Sequence, residues 1–496
     1  MSDRSMDRRP PLDDADAARE VEGELEELGD PDASPATPAG TLAAAASHVG
    51  VGPVVDDSTE EIWRLAWPVM LSMTLASVVG IADIAMVGRL GAIAQAAVGY
   101  AAQLFFVAQS ALFALSFACV ALMARAIGAG HAADARQALA ASVIVSVAGA
   151  AVLFAAIAIH PLPLLEALSA EPEVIALCIP YLRLLMASTV VLAVCLTFES
   201  AFRADRDTKT PMRITLAVAV AKLGLNVLLI FGAPALAVPA LGVAGAGLAT
   251  LLAQFLALVL FVWATRRKPA DSPSTVRLHD FRGMRPWFRP LIRIALPGVG
   301  ERLIMNLAMV VYFAFIGTYG TVAAAAYTIG IRILSFTWIP GTGYSQAVAT
   351  LVGQALGAGD LPRAERSGWR AARLALATAV VMGGLGVVLR EPLARLFTVD
   401  EATVLALGPF MLCLSLAQPA MQLHFTLGGA FRGAGDTVTP LYAALVGNWL
   451  FRVPLAYLAA EVWHLPLIWI WLTLITDHVA RAIWLTLGFL RGRWHR

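Results

Sequence analysis

Charge is scarce in this chain of 496 residues: Asp, Glu, Lys and Arg make up 14% of it, about half the share usual in soluble globular proteins. Charged residues crowd the first 57 positions, so the remainder is poorer still. A fold of this length could not present an adequate polar surface to water, which excludes an ordinary soluble enzyme. Cysteine is also rare. Cys119, Cys178, Cys195 and Cys413 are scattered with no CxxC pair, so buried thiols are expected rather than disulfides or a metal site. The net charge of +1 offers no basic field for nucleic acid. No Walker loop, HExxH or nucleophile elbow occurs. The eight histidines are dispersed, whereas a membrane enzyme acting on lipids would be expected to cluster His or Asp near one face. Residues 1–57 lack the apolar core of a signal peptide. Their run of Glu20, Glu22, Glu24, Glu26 and Glu27, followed by Pro and Ala, reads as a disordered acidic cytoplasmic tail.

What the chain does have is apolar length. Apolar residues make up 59% of it, and stretches near 20 residues recur, each able to cross ~30 Å of hydrocarbon at ~1.5 Å per residue. Hydropathy predicts twelve helices: 62–87, 97–124, 137–159, 176–200, 212–233, 242–264, 291–316, 322–350, 372–389, 404–430, 439–460 and 466–490. A β-barrel would show short alternating segments instead. The widest gap holds Arg266, Arg267, Lys268, Arg277, Arg282, Arg285 and Arg289. The expected organisation is therefore a tail over 1–57, a six-helix lobe over 58–265, a cytoplasmic linker over 266–290, a second six-helix lobe over 291–490 and a basic tail over 491–496. With the first residues inside, the inner connections collect Arg125, Arg136, Arg203, Arg206, Lys209, Arg213, the linker, Arg363, Arg366, Arg370 and Arg432, whereas the first-half outer connections show only Arg89. The asymmetry of Lys and Arg places both termini in the cytoplasm of a cell-membrane protein.

An internal repeat says more than hydropathy does. Pro68, Gly88, Gly91 and Gly128-Ala129-Gly130 recur 229 positions later as Pro297, Gly317, Gly320 and Gly357-Ala358-Gly359. The same offset carries Ala201-Phe202-Arg203 to Ala430-Phe431-Arg432, Asp207-Thr208 to Asp436-Thr437 and Pro211 to Pro440. Isolated Gly or Ala matches arise by chance in such a chain; Phe-Arg followed by Asp-Thr-x-Thr-Pro at one gap-free offset does not. Six helices per repeat return the chain to its starting side, so the halves are parallel and related by an axis along the membrane normal. The expected fold is an all-α polytopic membrane protein of twelve transmembrane helices in two parallel six-helix repeats around a central cleft, an architecture suited to alternating access.

Several motifs resemble one family. Ala82-Asp83-Ile84-Ala85-Met86-Val87-Gly88-Arg89-Leu90-Gly91 resembles the first-helix end of multidrug and toxic compound extrusion (MATE) transporters. Gly428-Gly429-Ala430-Phe431-Arg432-Gly433-Ala434-Gly435-Asp436-Thr437 is similar to their tenth-helix exit, and Leu225-Asn226 with Leu241-Gly242-Val243-Ala244-Gly245-Ala246 to their fifth-to-sixth helix stretch. The likeness runs from about Ile62 to Leu490. It implies an antiporter that exports small amphipathic, cationic compounds against H+ or Na+, without a cofactor and as a single chain.

Intramembrane charges nominate the working residues. Asp83 matches the family's first-helix acid, where a carboxylate can hold a proton or a sodium ion. Asn226 would be its polar companion. Lys222, one turn earlier on the same face, would be a tethered counter-cation released on protonation, which favours H+ over Na+. Glu301 resembles the second-half cation ligand of one bacterial branch, with a pair to neighbouring Arg302 as the structural alternative. That branch also carries an Asp on the tenth helix, where this chain has Gln418-Pro419-Ala420-Met421-Gln422. Coupling is therefore expected at Asp83, and no metal beyond Na+ at Asp83 or Glu301. Gln418, Gln422 and His424 are candidates for lining the drug cleft or for packing. Arg332, Arg452 and Asp477 are expected to pair structurally, Glu199 to be solvated at an interface, and the Phe-Arg and Asp-Thr motifs to set loop geometry. The rivals are a lipid-linked precursor flippase, which would need extra helices or a strongly cationic cavity, and a membrane scaffold indifferent to loss of Asp83.

Overall fold

The structure is a computed structural model that describes residues 58–234, 237–492 and 494; the tail over 1–57 lies outside the described residues. Among the described residues, twelve helices are long and apolar enough to cross a membrane: α1 (Thr59–Gly88), α2 (Ala92–Gly128), α3 (Ala132–Ile159), α4 (Pro172–Ala204), α5 (Lys209–Phe231), α6 (Gly242–Arg266), α7 (Arg285–Gly317), α8 (Thr321–Gly357), α9 (Leu361–Val388), α10 (Glu401–Gly433), α11 (Val438–Val462) and α12 (Ile468–Leu490).

Polar side chains start several of them. The Ser58 hydroxyl accepts the amide of Glu61, Asp360 that of Arg363 and Asp400 that of Thr403, satisfying donors that a helix leaves unpaired in its first turn. The two Asp-Thr motifs do the same for α5 and α11: Asp207 accepts the Thr210 amide and Asp436 that of Thr439. The turns repeat with the sequence. Gly91 and Gly320 both take positive φ, 109° and 92°, as do Gly130 and Gly359, at 76° and 75°. These left-handed conformations favour glycine.

Several helices outrun their hydropathy. α9 begins at Leu361, not near 372, because Arg363, Glu365, Arg366, Arg370 and Arg373 extend it while making it look like a loop. α8 departs from one smooth span. It breaks at Trp338 into Thr321–Thr337 and Ile339–Gly357, with Pro340 opening the second piece. Proline lacks the N–H that would continue the ladder; α2, with Ala111 at the equivalent place, is continuous. The link between α6 and α7 is a docked segment: Lys268 and Ser274 reach Asp205, and Arg136 reaches Asp280.

Packing repeats like the sequence. α2 with α4, α4 with α6 and α1 with α5 in one lobe have their counterparts in α8 with α10, α10 with α12 and α7 with α11 in the other. The lobes share core along α2 against α7, where Leu112, Leu115 and Ala118 pack with Leu291 and Ala295, and at one end. There Ile62, Leu65 and Ala66 of α1 pack among Tyr344, Val348, Leu351 and Phe431. At the opposite end each lobe has a core of its own, one around Tyr181, Leu182 and Ile230, the other around Tyr327, Phe410 and Trp471. The shared end is the arginine-rich one, and it closes through glycine. A side chain at Gly128 would strike the Gln354 backbone, and one at Gly357 the Arg125 backbone, so the repeated glycines make a reciprocal crossing of α2 on α8. Gly357→Leu should accordingly lower the thermal midpoint of the purified protein by the equivalent of roughly 1–3 kcal/mol or more. Gly224→Ala, where no atom lies within 4 Å of an added Cβ, should leave it unchanged or raise it by up to about 1 kcal/mol.

Candidate functional site

Helices α1 and α5 bring three of the sequence-nominated residues together. Lys222 and Asn226 sit one turn apart on α5 and face Asp83, five residues from the end of α1. Lys222 Nζ lies 2.5 Å from Asp83 Oδ2, and Asn226 Nδ2 donates to Asp83 Oδ1 at 2.5 Å. Both carboxylate oxygens therefore have a donor from the same neighbouring helix. The ion pair is not sealed: Asp83 and Lys222 are 25% and 18% exposed, while Asn226 behind them is buried. Asn226 Oδ1 has no hydrogen-bond partner among the described residues. Tyr181 of α4 lies within electrostatic reach of Asp83. Because Asp83 belongs to the end where the lobes have separate cores, the charged trio sits on the open side of the molecule.

Glu301 is arranged otherwise. Its partner is Arg432, 2.6 Å away across α7 and α10, not the adjacent Arg302. The Arg432 guanidinium also lies 5.2 Å from the ring of Phe117 on α2, one of the contacts between lobes. The Phe-Arg motif thus does more than shape a loop. In the first lobe the corresponding Arg203 pairs with Glu199, so Glu199 is held by an ion pair where solvation was expected.

Gln418, Gln422 and His424 are buried within the second lobe. Gln422 donates to the carbonyl of Thr337 at 2.7 Å and to Gln418 Oε1 at 3.2 Å. That carbonyl lies at the break in α8, so Gln422 braces the kink from α10. His424 Nε2 meets His478 Nδ1 at 2.9 Å with the rings stacked; two histidines dispersed in sequence are paired in space. The expected Arg452–Asp477 pair is present at 3.7 Å, but Arg481 holds Asp477 more closely, with both oxygens engaged at 2.6 and 3.0 Å. Arg481 went unnoticed in the sequence, although its position four residues after Asp477 was a usable signal. Arg332 is exposed and has no carboxylate partner among the described residues.

At the shared end a polar latch joins the lobes. Arg206, between α4 and α5, donates to Gln354 of α8 at 2.7 Å and lies 3.5 Å from Glu61 of α1. Gln354 donates to the Ala204 carbonyl at 2.7 Å, and Thr350 to that of Arg203 at 3.2 Å. Arg206 adopts φ 59° where the second repeat has Gly435; the latch holds a strained residue in place. The cysteines are free and buried, and no group of three or more metal-ligating side chains occurs among the described residues.

The MatE family model matches residues 68–228 and again 297–458, one match per repeat. A relative from Thermotoga maritima, described as a probable multidrug resistance protein NorM, is 27% identical over 449 residues, covering 89% of this chain and 94% of its own. Another so described, from Bradyrhizobium diazoefficiens, is 30% identical over 431 residues, covering 84% and 90%. Among solved structures, a variant of the Vibrio cholerae MATE transporter VcmN superposes with a TM-score of 0.81 at 20% identity, covering 88% of this chain and 96% of that one.

The kink brace can be tested alone. Gln422→Leu removes the side-chain donor to the half-buried Thr337 carbonyl and should destabilise the protein by about 1–3 kcal/mol, read as a lower thermal midpoint, while Leu at the exposed Thr328 should not.

Proposed function

This chain belongs to the MATE family, and from that premise we propose that it is a proton-coupled antiporter of the cell membrane that exports small amphipathic cations by alternating access. What supports the coupling is the bridge from Lys222 to Asp83. A carboxylate that already has a tethered cation on one oxygen and an amide on the other needs no sodium ion to balance it. A proton arriving from the open side neutralises Asp83 and frees Lys222. Asn226 Oδ1, without a partner in the present state, then serves as acceptor for the new acid after a turn of its amide.

The consequence passes along α1. One helix carries both Asp83 and the Ile62, Leu65 and Ala66 contacts of the shared core, so a repacking of α1 against α5 is felt at the closed end. Magnitudes suggest a division of labour. A unit-charge pair at ~4 Å in an effective dielectric of about 20 contributes about 4 kcal/mol, whereas moving a two-state ratio from 1:99 to 99:1 takes about 5.5 kcal/mol. The bridge alone falls short, and the latch of Arg206, Gln354 and Glu61 is positioned to contribute the remainder. With the arginine-rich connections in the cytoplasm, the present state is closed inward and open outward, and both termini are cytoplasmic. Glu301 is committed to Arg432, so the coupling role stays with Asp83. The flippase reading, which calls for extra helices or a strongly cationic central cavity, is weaker because twelve membrane-length helices occur among the described residues.

Reconstituted vesicles provide the test. A pH gradient without sodium should drive uptake of a fluorescent cation, and a sodium gradient at equal pH should not. Asp83→Asn should reduce pH-driven uptake at least about tenfold, while Lys222→Asn should retain uptake with an altered pH profile. Sodium-driven uptake lost in Asp83→Asn, or an unchanged profile in Lys222→Asn, would overturn proton coupling through this bridge.

A further inference from the structure

The two lobes share a backbone plan but not their ionisable centres. At the 229-residue offset, Asp83, Lys222 and Asn226 correspond to Tyr312, Phe451 and Leu455, and Glu301, Arg302 and Arg481 correspond to Ser72, Met73 and Leu252. The second lobe therefore carries charges where the first lobe has neutral residues, in addition to Arg432, whose counterpart Arg203 is also charged. It contains Arg302, Arg432, Arg452 and Arg481 against Glu301 and Asp477.

The carboxylates are already committed. Glu301 is engaged by Arg432, and Asp477 by Arg481 through both oxygens with Arg452 at 3.7 Å. Arg452 leans instead on the Met309 sulfur and the ring of Tyr312, and its Nε has no acceptor. Arg302 has neither a hydrogen bond nor an ion pair among the described residues, yet it lines a cavity with Glu301, Arg432, Arg481 and His424. Pro440, Ala443, Ala444 and Leu485 form the apolar part of the same wall. Two surplus positive charges beside apolar walls are unfavourable unless an anion joins them.

We propose that the second lobe binds a small monovalent inorganic anion, of halide size, between the guanidinium groups of Arg302, Arg432 and Arg481. Size selects the class. The cavity measures ≈ 20 Å³, about what one water-sized sphere occupies, which suits a halide and rejects a sulfate or an organic carboxylate. The anion adds a negative charge beside Glu301, so it sits nearest Arg302 and Arg481. Its occupancy also bears on the lobe contact, because Arg432 faces Phe117 of α2.

The experiment uses the full chain purified in detergent, with its thermal midpoint followed at fixed pH and ionic strength while gluconate is replaced by chloride, bromide or sulfate. A ligand that binds only the folded protein raises the midpoint in a saturable way. Chloride and bromide should do so; gluconate and sulfate should not. Arg302→Gln should weaken the apparent halide affinity at least about tenfold, and Arg302→Lys should retain most of it. Asp83→Asn should keep the full response, which separates this site from the coupling bridge. Equal midpoints in all four salts, or a halide response undiminished in Arg302→Gln, would overturn the proposal. Protection by an anionic amphipath but by no halide would overturn it too, in favour of a substrate group. Should Arg302→Gln fail to fold, calorimetric titration of the wild-type protein with bromide decides by itself: no saturable heat sinks the site.

Discussion

A charge placed within a bilayer must find a partner, and that constraint organises this protein. Three ion pairs tie together particular helices: Lys222 on α5 to Asp83 on α1, Arg432 on α10 to Glu301 on α7, and Arg452 on α11 to Asp477 on α12. The pairs lie within lobes, so each lobe is held as a unit by its own charges. Between lobes the contacts are of another kind, made of glycine crossings, apolar side chains and the hydrogen bonds of Gln354 and Thr350 to the opposite lobe. A bundle built in this way can change the relation of its halves without unpairing every internal charge.

The closed end shows how much is concentrated in a few residues. Gly128 and Gly357 let α2 and α8 approach closely, Gln354 reaches the opposite lobe's backbone, and Arg206 bridges Gln354 to Glu61. Arg206 tolerates a left-handed backbone to do so, where the other repeat uses Gly435. The open end has no such shared core. The asymmetry of the molecule along its length follows from where the close-packing residues were placed.

The duplication has been elaborated differently in its two copies. Pro340 breaks α8 where Ala111 leaves α2 continuous, and Gln422 donates to the Thr337 carbonyl at the break. The first lobe has the Asp83 carboxylate with the Lys222 ammonium beside it. The second has arginines in excess and a stacked histidine pair. One backbone plan therefore carries two electrostatic characters.

Much of this was legible in the sequence. Apolar runs fixed the number of spans, because crossing hydrocarbon requires about twenty apolar residues regardless of what they touch. A single gap-free offset gave the duplication, and the one-turn spacing of Lys222 and Asn226 placed both on one face of α5. Partners across helices were another matter. Glu301 was expected beside Arg302 and met Arg432, Arg481 was overlooked, and His424 and His478, 54 residues apart in the chain, are stacked on each other. Helix identity and facing are local properties set by composition and period. Which buried charge meets which depends on how helices distant in sequence lie against one another, and only the tertiary structure decides that.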